Sequence, residues 1–585
     1  MLLYWMGKET EVQDPKMKNL WVKKDGAASE DIDRLRDELN GVHSLLCSIL
    51  LSRGVKNRAD AELYFRPKLE DLHDPFLMAD MKKAVDRIES ALEKNQGIMV
   101  LGDYDVDGTT SAAMVYLFLR SRTSKVFYYI PDRYSEGYGI SIQSIDTALK
   151  EDCSLMICLD CGIKATDKVA YANQGGLDMI ICDHHRPGDD LPEALAVLDP
   201  KRQDCDYPFK ELSGCGVGFK LIQAVLKSSG SSMDEAFRYL DLLAISIAAD
   251  IVPITGENRT LAFYGLQKVN SDPLPGIRAL KESTNFKSPF RTSDLVFKLA
   301  PRINAAGRMA SGRKAVEIMV EADIEKGREL AGVVGGYNEE RGETDKRITD
   351  EAMEQAVSDS GFSQRKTSVF YGPHWHKGVI GIVASRMIEQ FYRPTVVFCG
   401  EGEVLSGSAR SVRHFDIYKA LEECGDLLIQ FGGHKYAAGM TIKRDMIQSF
   451  REKFEKVVSD SIGPESLQAI IEIDGDLDIA DIRRDFFKVL KRFAPFGPGN
   501  MNPVFKSDEA VVTYVNRVGK EGEHLKLQLS SPSDPLKALP AIAFGLGHLA
   551  GELVQGQLLS VVYTIEENTW NGNSEIQLNI KDIRV

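Results

Sequence analysis

Between residue 97 and about residue 250 the chain alternates short, unbroken apolar runs with helical segments. Five runs are strand candidates: Ile98–Leu101, Lys125–Ile130, Leu155–Leu159, Met179–Cys182 and Ala194–Leu198. A strand with one wet face alternates apolar and polar residues. Unbroken runs instead predict strands buried on both faces, hence a parallel sheet flanked by helices, an α/β fold. Ligands of such sheets bind beyond the carboxyl ends of the strands. There the sequence places Asp103, Asp105 and Asp107 after the first run, Asp160 after the third and Asp183-His184-His185 after the fourth.

The first of these sites reads Gly102-Asp103-Tyr104-Asp105-Val106-Asp107-Gly108, then Thr-Thr-Ser and the largely apolar Ala112 to Leu119. It predicts a strand, an acidic turn and a buried helix. On an extended turn residues two apart point the same way, so the three carboxylates converge. Such anions repel unless something positive sits among them, and a hard divalent cation is the usual solution. The same pattern opens an EF-hand loop, but the position that needs a Glu holds Met114, and a strand precedes it. A solvated acidic turn that binds nothing competes only while the motif stands alone. The adjacent His184 and His185 point in different directions, so one can ligate metal while the other faces substrate. Asp250 lies at the end of an apolar helix that stops before Pro253. The helix dipole disfavours an anion there, and a carboxylate among apolar groups is costly unless paired or metal-bound.

With 585 residues the chain is long enough for about three or four domains. A net charge of −14 argues against a basic nucleic-acid coat but leaves room for a local basic channel. Nine irregularly spaced cysteines form no disulfide framework and predict reduced thiols in a cytoplasmic protein. Cys158 and Cys161 make a formal C-x-x-C, but it ends a strand instead of opening a helix. No apolar run is long enough to span a membrane, and Met1 to Met6 is too short for a signal-peptide core; translation could also start at Met6 or Met17. The expected plan is a polar, partly disordered segment (1–40), a catalytic domain (41–321), a long connecting helix (322–360) that Gly335 and Gly336 should break or kink, a second, smaller α/β domain (361–457) and a C-terminal β-barrel of the oligonucleotide-binding (OB) kind (458–585). Arg302 and Arg308 sit beside small residues, where guanidinium forks suit phosphate oxygens. In the second α/β domain, Ser406–Ser411 and Gly432–Gly439 read as Gly/Ser-rich turns suited to an anion. Ala494–Asn500 is a rigid loop. Strands are expected at Ala510–Asn516, His524–Leu529, Leu558–Ile565 and Glu575–Ile583, the last pair joined by a hairpin at Asn571-Gly572.

Taken together, Gly-Asp103-Tyr-Asp105-Val-Asp107-Gly, Leu-Asp160-Cys-Gly, Asp183-His184-His185, Ala-Asp250-Ile-Val-Pro, Pro-Arg302-Ile-Asn-Ala-Ala-Gly-Arg308-Met, His-Lys-Gly-Val-Ile-Gly-Ile-Val-Ala-Ser-Arg386 and Gly-Gly-His434-Lys-Tyr-Ala-Ala-Gly resemble the RecJ family, single-strand-specific 5′→3′ DNA exonucleases of the DHH phosphoesterase superfamily. The resemblance spans roughly 95 to 585. It implies two divalent cations, Mn²⁺ or Mg²⁺, with Asp105 and Asp160 at one and Asp107, Asp160, His184 and Asp250 at the other, Asp160 bridging. It puts His185 on the scissile phosphate. Many superfamily members carry a His where this chain has Leu101; Asp103 would compensate as a ligand or orient its neighbours. Arg386, Ser408, Arg410 and His434 would hold strand phosphates, Arg302 and Arg308 would add to them, and Arg133 would line the path to the 5′ end. A channel between the two α/β units, too narrow for duplex, would explain the strand preference. The implied setting is DNA repair and recombination, with single-stranded DNA as substrate and a single-strand-binding protein or a helicase as protein partner. Two other readings remain: a small-substrate DHH phosphatase or oligoribonuclease, which lacks a long β tail, and an inactive DHH scaffold, which has lost metal ligands.

Overall fold

The computed structural model describes residues 19–570 and 573–585. The chain forms two compact units. One comprises Glu62–Arg341 with Phe493–Met501; the other takes the chain up to Ala61, Gly342–Arg492 and Asn502–Val585. In the second unit β1 (Leu20–Lys23) is followed by a helix at Ser29–Glu38; of the segment 1–40 expected to be partly disordered, 1–18 lie outside the described residues and 19–40 contain regular structure.

The unit Glu62–Arg341 is built on a five-stranded parallel sheet of β2 (Gly97–Gly102), β3 (Val126–Tyr129), β4 (Cys153–Leu159), β5 (Asp178–Cys182) and β6 (Ala196–Leu198), in the order β3-β2-β4-β5-β6. Each of the five expected strands is present. The unbroken runs have a simple cause: Ile98, Val100, Leu155, Ile157 and Leu159 enter one apolar core, while Met99, Leu101, Met156 and Cys158 enter another on the opposite face. Gly102 pairs with Leu159, Leu159 with Cys182 and Cys182 with Leu198, so these strands end level. The residues that follow, Asp103, Asp160, Asp183 and Asp199, therefore share one rim of the sheet.

Three helices frame that rim. Val106–Arg120 is apolar almost all round and buried over most of its length. Gly214–Ser228 packs beside it, and Leu240–Ala249 against both. The 35-residue helix Ile324–Ser358 continues from this unit's last residues into the other and runs unbroken through Gly335 and Gly336, contrary to the expected break. Burial of Val334, Ile348 and Ala352 gives it enough tertiary support to carry two glycines.

In the other unit β7 (Ser368–Gly372), β8 (Thr395–Cys399), β9 (Val404–Arg410), β10 (Leu428–His434) and β11 (Ala437–Lys443) form a sheet in the order β10-β11-β9-β8-β7. Of the two Gly/Ser-rich stretches expected as turns, Ser406–Ser411 lies mostly in strand β9, and Gly432–Gly439 is the tip of the β10–β11 hairpin with its turn at Lys435-Tyr436. Small residues serve close packing: a Cβ on Gly407 would lie 2.5 Å from the Phe398 ring. The same unit holds β12 (Ile470–Ile473), paired in parallel with β1, the short β13 (Gly475–Asp476), and the strands β14 (Phe505–Val518), β15 (His524–Ser531), β16 (Asp534–Ala543), β17 (Leu558–Trp570) and β18 (Asn573–Arg584). Pairing of β14 with β17 closes a five-stranded OB-like barrel. The expected Asn571-Gly572 turn lies outside the described residues. Strand β16 was not expected; Pro535 and Pro540 hide it from propensity.

Among the described residues no helix is long and apolar enough to cross a membrane. All nine cysteines are buried and unpaired.

Candidate metal centre

His184 sits where the level strand ends meet the helix termini. Its Nε2 lies 3.2 Å from Asp160 Oδ1, 3.5 Å from Asp250 Oδ2 and 3.7 Å from Asp107 Oδ2. The ligand-capable atoms form two overlapping groups, Asp107–His184–Asp250 and Asp160–His184–His185. Each side chain is set by its own element. Asp107 lies in the first turn of Val106–Arg120, where Oδ2 accepts from Gly214 N at 2.6 Å and Oδ1 from Cys215 N at 2.8 Å and the Ser246 hydroxyl at 2.6 Å. Those two amides open the Gly214–Ser228 helix, a favourable place for an anion. Gly214 is required there, because a Cβ would lie 2.6 Å from that of Asp160. Asp160 follows β4 in a left-handed conformation, φ 60°. Asp250 caps the C-terminus of Leu240–Ala249, one turn after Ser246.

Asp183 does not join either group. Its Oδ1 accepts from the His184 and His185 amides and bonds His185 Nδ1 at 2.8 Å, and its Oδ2 accepts from Ile163 N at 2.9 Å. It is the buried anchor that aims both histidines. Asp105 caps its helix through Gly108 N at 2.9 Å, and its carboxyl reaches that of Asp160. Asp103 is fully buried; its Oδ1 accepts from Gly139 N at 3.1 Å, and its Oδ2 is buried without a hydrogen-bond partner. The helix starts at Val106, so helical geometry, not the alternation of an extended turn, places Asp107. Leu101 is wholly enclosed by the apolar cluster that includes Ile140 and Ile163.

Electrostatics test whether a cation suits these groups. Burial, then the Asp107 and Asp105 charges, raises Asp160 well above the usual carboxylate range and pushes Asp250 up to about 8. Burial and then Asp107 raise Asp105; burial and then Asp105 push Asp103 up to about 8. Burial lowers His184, keeping its imidazole neutral. His185 is raised, its burial outweighed by the bond to Asp183. Asp160 Oδ1 and both ring nitrogens of His184 are buried without a hydrogen-bond partner. Crowded carboxylates, a neutral imidazole and unbonded donor atoms fit a divalent cation such as Mn²⁺ or Mg²⁺, whose charge reverses these shifts.

Family models of the DHH family N-terminal domain, the DHHA1 domain and the RecJ OB domain match residues 97–247, 365–460 and 473–582. The single-stranded-DNA-specific exonuclease RecJ of Bacillus subtilis is 36% identical over 560 residues, covering 95% of this chain and 70% of that protein. The chain belongs to the RecJ family. The Escherichia coli RecJ is 31% identical over 572 residues, covering 94% of this chain and 98% of its own. Among solved structures, RecJ of Thermus thermophilus in complex with Mn²⁺ superposes with a TM-score of 0.82 at 26% identity, covering 97% of this chain and 79% of that one.

The arginines expected on phosphate divide sharply in this RecJ-family chain. Arg133 stacks on the Tyr104 ring at 4.7 Å. Arg302 is instead turned onto the carbonyls of Lys298, at 2.6 Å, and Ser283, at 3.5 Å. The Arg308 carbonyl receives the Tyr134 hydroxyl. In the other unit Arg410 Nη1 donates to Ser408 Oγ at 3.0 Å beside Gly381, in the first turn of the helix Ile380–Phe391. Ala437 pairs with both Arg410 and His434, which puts the three in one row across the sheet. Arg386 is bound through Nε and Nη2 to Asp345, at 2.8–3.0 Å, and Asp345 is fully buried. Sequence reasoning missed Asp183 as an anchor and Ser246 as a partner of Asp107. The second had a faint signal: Ser246 and Asp250 are four apart on one helix face.

Proposed function

We propose that this chain is a single-stranded-DNA-specific 5′→3′ exonuclease that hydrolyses phosphodiester bonds with two divalent cations, in DNA repair and recombination. The observation that carries the reading is the approach of three carboxyl oxygens to within 3.7 Å of His184 Nε2, at the carboxyl ends of a parallel sheet, in a RecJ-family chain. When bound, the metal pair supplies a water of lowered pKa and charge on both the attacking and leaving oxygens. Asp107, Asp160, His184 and Asp250 would hold one cation, and Asp105 with Asp160 the other. Asp103 orients the Gly139 loop. His185, aimed by Asp183 and half exposed, presents its Nε2 to the scissile phosphate. Ser408, Arg410 and His434 hold strand phosphates; Arg386 and Arg302 support structure.

In domain terms, 41–321 carries catalysis, 322–360 connects, 361–457 grips the strand and 458–585 adds the OB-like barrel. A single-strand-binding protein or a helicase is the partner class for an enzyme that needs an exposed strand. Nine unpaired thiols suit the cytoplasm. The test is digestion of 5′- and 3′-labelled single strands and duplexes with and without Mn²⁺. Metal-dependent loss of the 5′ label from single strands alone is expected; attack on duplex, or from the 3′ end, overturns the reading.

A further inference from the structure

The rigid loop Ala494–Asn500 has so far no role, yet Phe493–Met501 belongs to the same compact unit as the metal centre. Gly497-Pro498-Gly499-Asn500 has the residues of a type II turn, Pro second and a positive-φ Gly third. The structure agrees: Gly499 has φ 72°, and Asn500 N donates to Gly497 O at 2.8 Å. Asn500 is 2% exposed and locks the turn from within. Its Nδ2 donates to the Phe493 carbonyl at 2.9 Å and the Pro495 carbonyl at 2.7 Å, and its Oδ1 accepts the Tyr64 hydroxyl at 2.7 Å.

The turn is seated on the segment that follows Asp250. Pro498 O accepts from Ile254 N at 2.7 Å. A Cβ on Gly497 would lie 2.5 Å from Ile254 Cγ1, and one on Gly499 2.9 Å from Thr255 Cγ2. Between Asp250 and that contact stands Ile251, a β-branched residue held at φ 59° while 63% exposed. Such a conformation costs about 1–3 kcal/mol and persists only where its surroundings fix it. Exposed as it is, the Ile251 side chain gains little packing to hold it. The restraint comes from its flank, where Val252 and Ile254 are buried and Ile254 is tied to the turn.

We propose that the Asn500-locked turn is a positioning element for Asp250, holding Ile251–Ile254 so that the carboxylate stays aimed at the metal. This rests on the reading of Asp250 as a ligand. Without the lock, Ile251 relaxes out of its left-handed conformation, and the carboxylate at the helix end turns with it.

The test is Mn²⁺ binding to metal-stripped full-length protein, followed by the electron paramagnetic resonance of free Mn²⁺ and without DNA. Asn500→Ala and Gly499→Ala should each weaken one of the two sites by about tenfold or more, the size of loss typical when the support of a ligand is removed. Val458→Ala, a core change in the other unit, controls for general destabilisation and should leave both sites unchanged. Gly499→Ala keeps the proposal testable should Asn500→Ala fail to fold. Folded Asn500→Ala or Gly499→Ala protein with wild-type affinity at both sites overturns the positioning role. Asp250→Ala separates the two claims: if it too keeps both sites, the ligand reading itself falls; if it loses one while the turn variants do not, only the positioning role falls.

Discussion

His184 stands at the point where three carboxylates meet, and replacing it tests the centre most directly. His184→Ala should keep its melting temperature and lose Mn²⁺-dependent nucleotide release by more than about 100-fold, beyond what an indirect support residue costs. Turnover near wild type would refute the ligand assignment. Two arginines that looked alike in sequence should behave oppositely. Arg410 lies beside Ser408 and the start of a helix, so Arg410→Ala should weaken strand binding without unfolding. The slope of log affinity against log salt should fall by about 0.7, the loss of one phosphate contact. Arg386 is tied to buried Asp345, so Arg386→Ala should cost about 2–3 kcal/mol in urea unfolding by leaving that carboxylate without its guanidinium. Asp241 gives a pH signature outside the centre. It is fully buried, accepts from Leu274 N at 2.6 Å, and burial pushes its pKa up to about 6. Between about pH 4 and 6 the folded chain therefore holds a proton that the unfolded chain has lost. Stability should fall as pH rises through that window, by roughly 2–3 kcal/mol for a shift of about two units. Asp241→Asn should flatten the dependence; an unchanged curve would show that Asp241 is not its source.

Among elements, legibility followed burial. Strands β2, β4 and β5 were readable because both faces are covered, and an unbroken apolar run of strand length seldom arises in any other setting. Strands β9, β10 and β11 were not, since Gly, Ser and Ala there serve close backbone packing and carry the local signature of turns. Strand β16 was hidden by Pro540. That residue is tolerated because pairing with β18 begins only at Ala541, so its missing N–H breaks no bond on that side. The long helix shows tertiary support overriding propensity. Gly336 is exposed within it, and a Cβ there would meet nothing within 4 Å. Gly336→Ala should then raise stability by about 0.5–1 kcal/mol, seen as a higher melting temperature, by restricting the unfolded chain. A lowered melting temperature would mean that the glycine is needed where it stands.

Over the whole molecule, the residues of the metal centre were legible as polar residues closing apolar runs, whereas the contacts that hold them were not. Asp107's bonds to Gly214, Cys215 and Ser246 and the turn at Asn500 depend on segments far apart in the chain, and no local pattern announces them. The same holds for β1. Read alone, residues 19–24 offer only the short apolar run Leu20-Trp21-Val22 inside a charged segment, yet they pair with Ile470–Ile473 and reach the barrel's last strand. Trp21 Nε1 donates to Asp582 Oδ2 at 2.8 Å, the Asn19 amide adds a bond to the same oxygen at 3.2 Å, and the Arg584 guanidinium lies 4.0 Å over the Trp21 ring. The start of the described chain thus clamps its end through one indole. Trp21 is only partly buried, so Trp21→Ala should cost about 2 kcal/mol, less than the about 3–5 kcal/mol of a fully enclosed Trp. The loss should appear as a lower urea midpoint and faster proteolysis within β17 and β18. Trp21→Phe keeps a ring for Arg584 but removes the donor to Asp582, so it should lose about half as much. If both variants unfold at the wild-type midpoint, the clamp contributes nothing, and the barrel's closure by β14 and β17 suffices to hold its last strand.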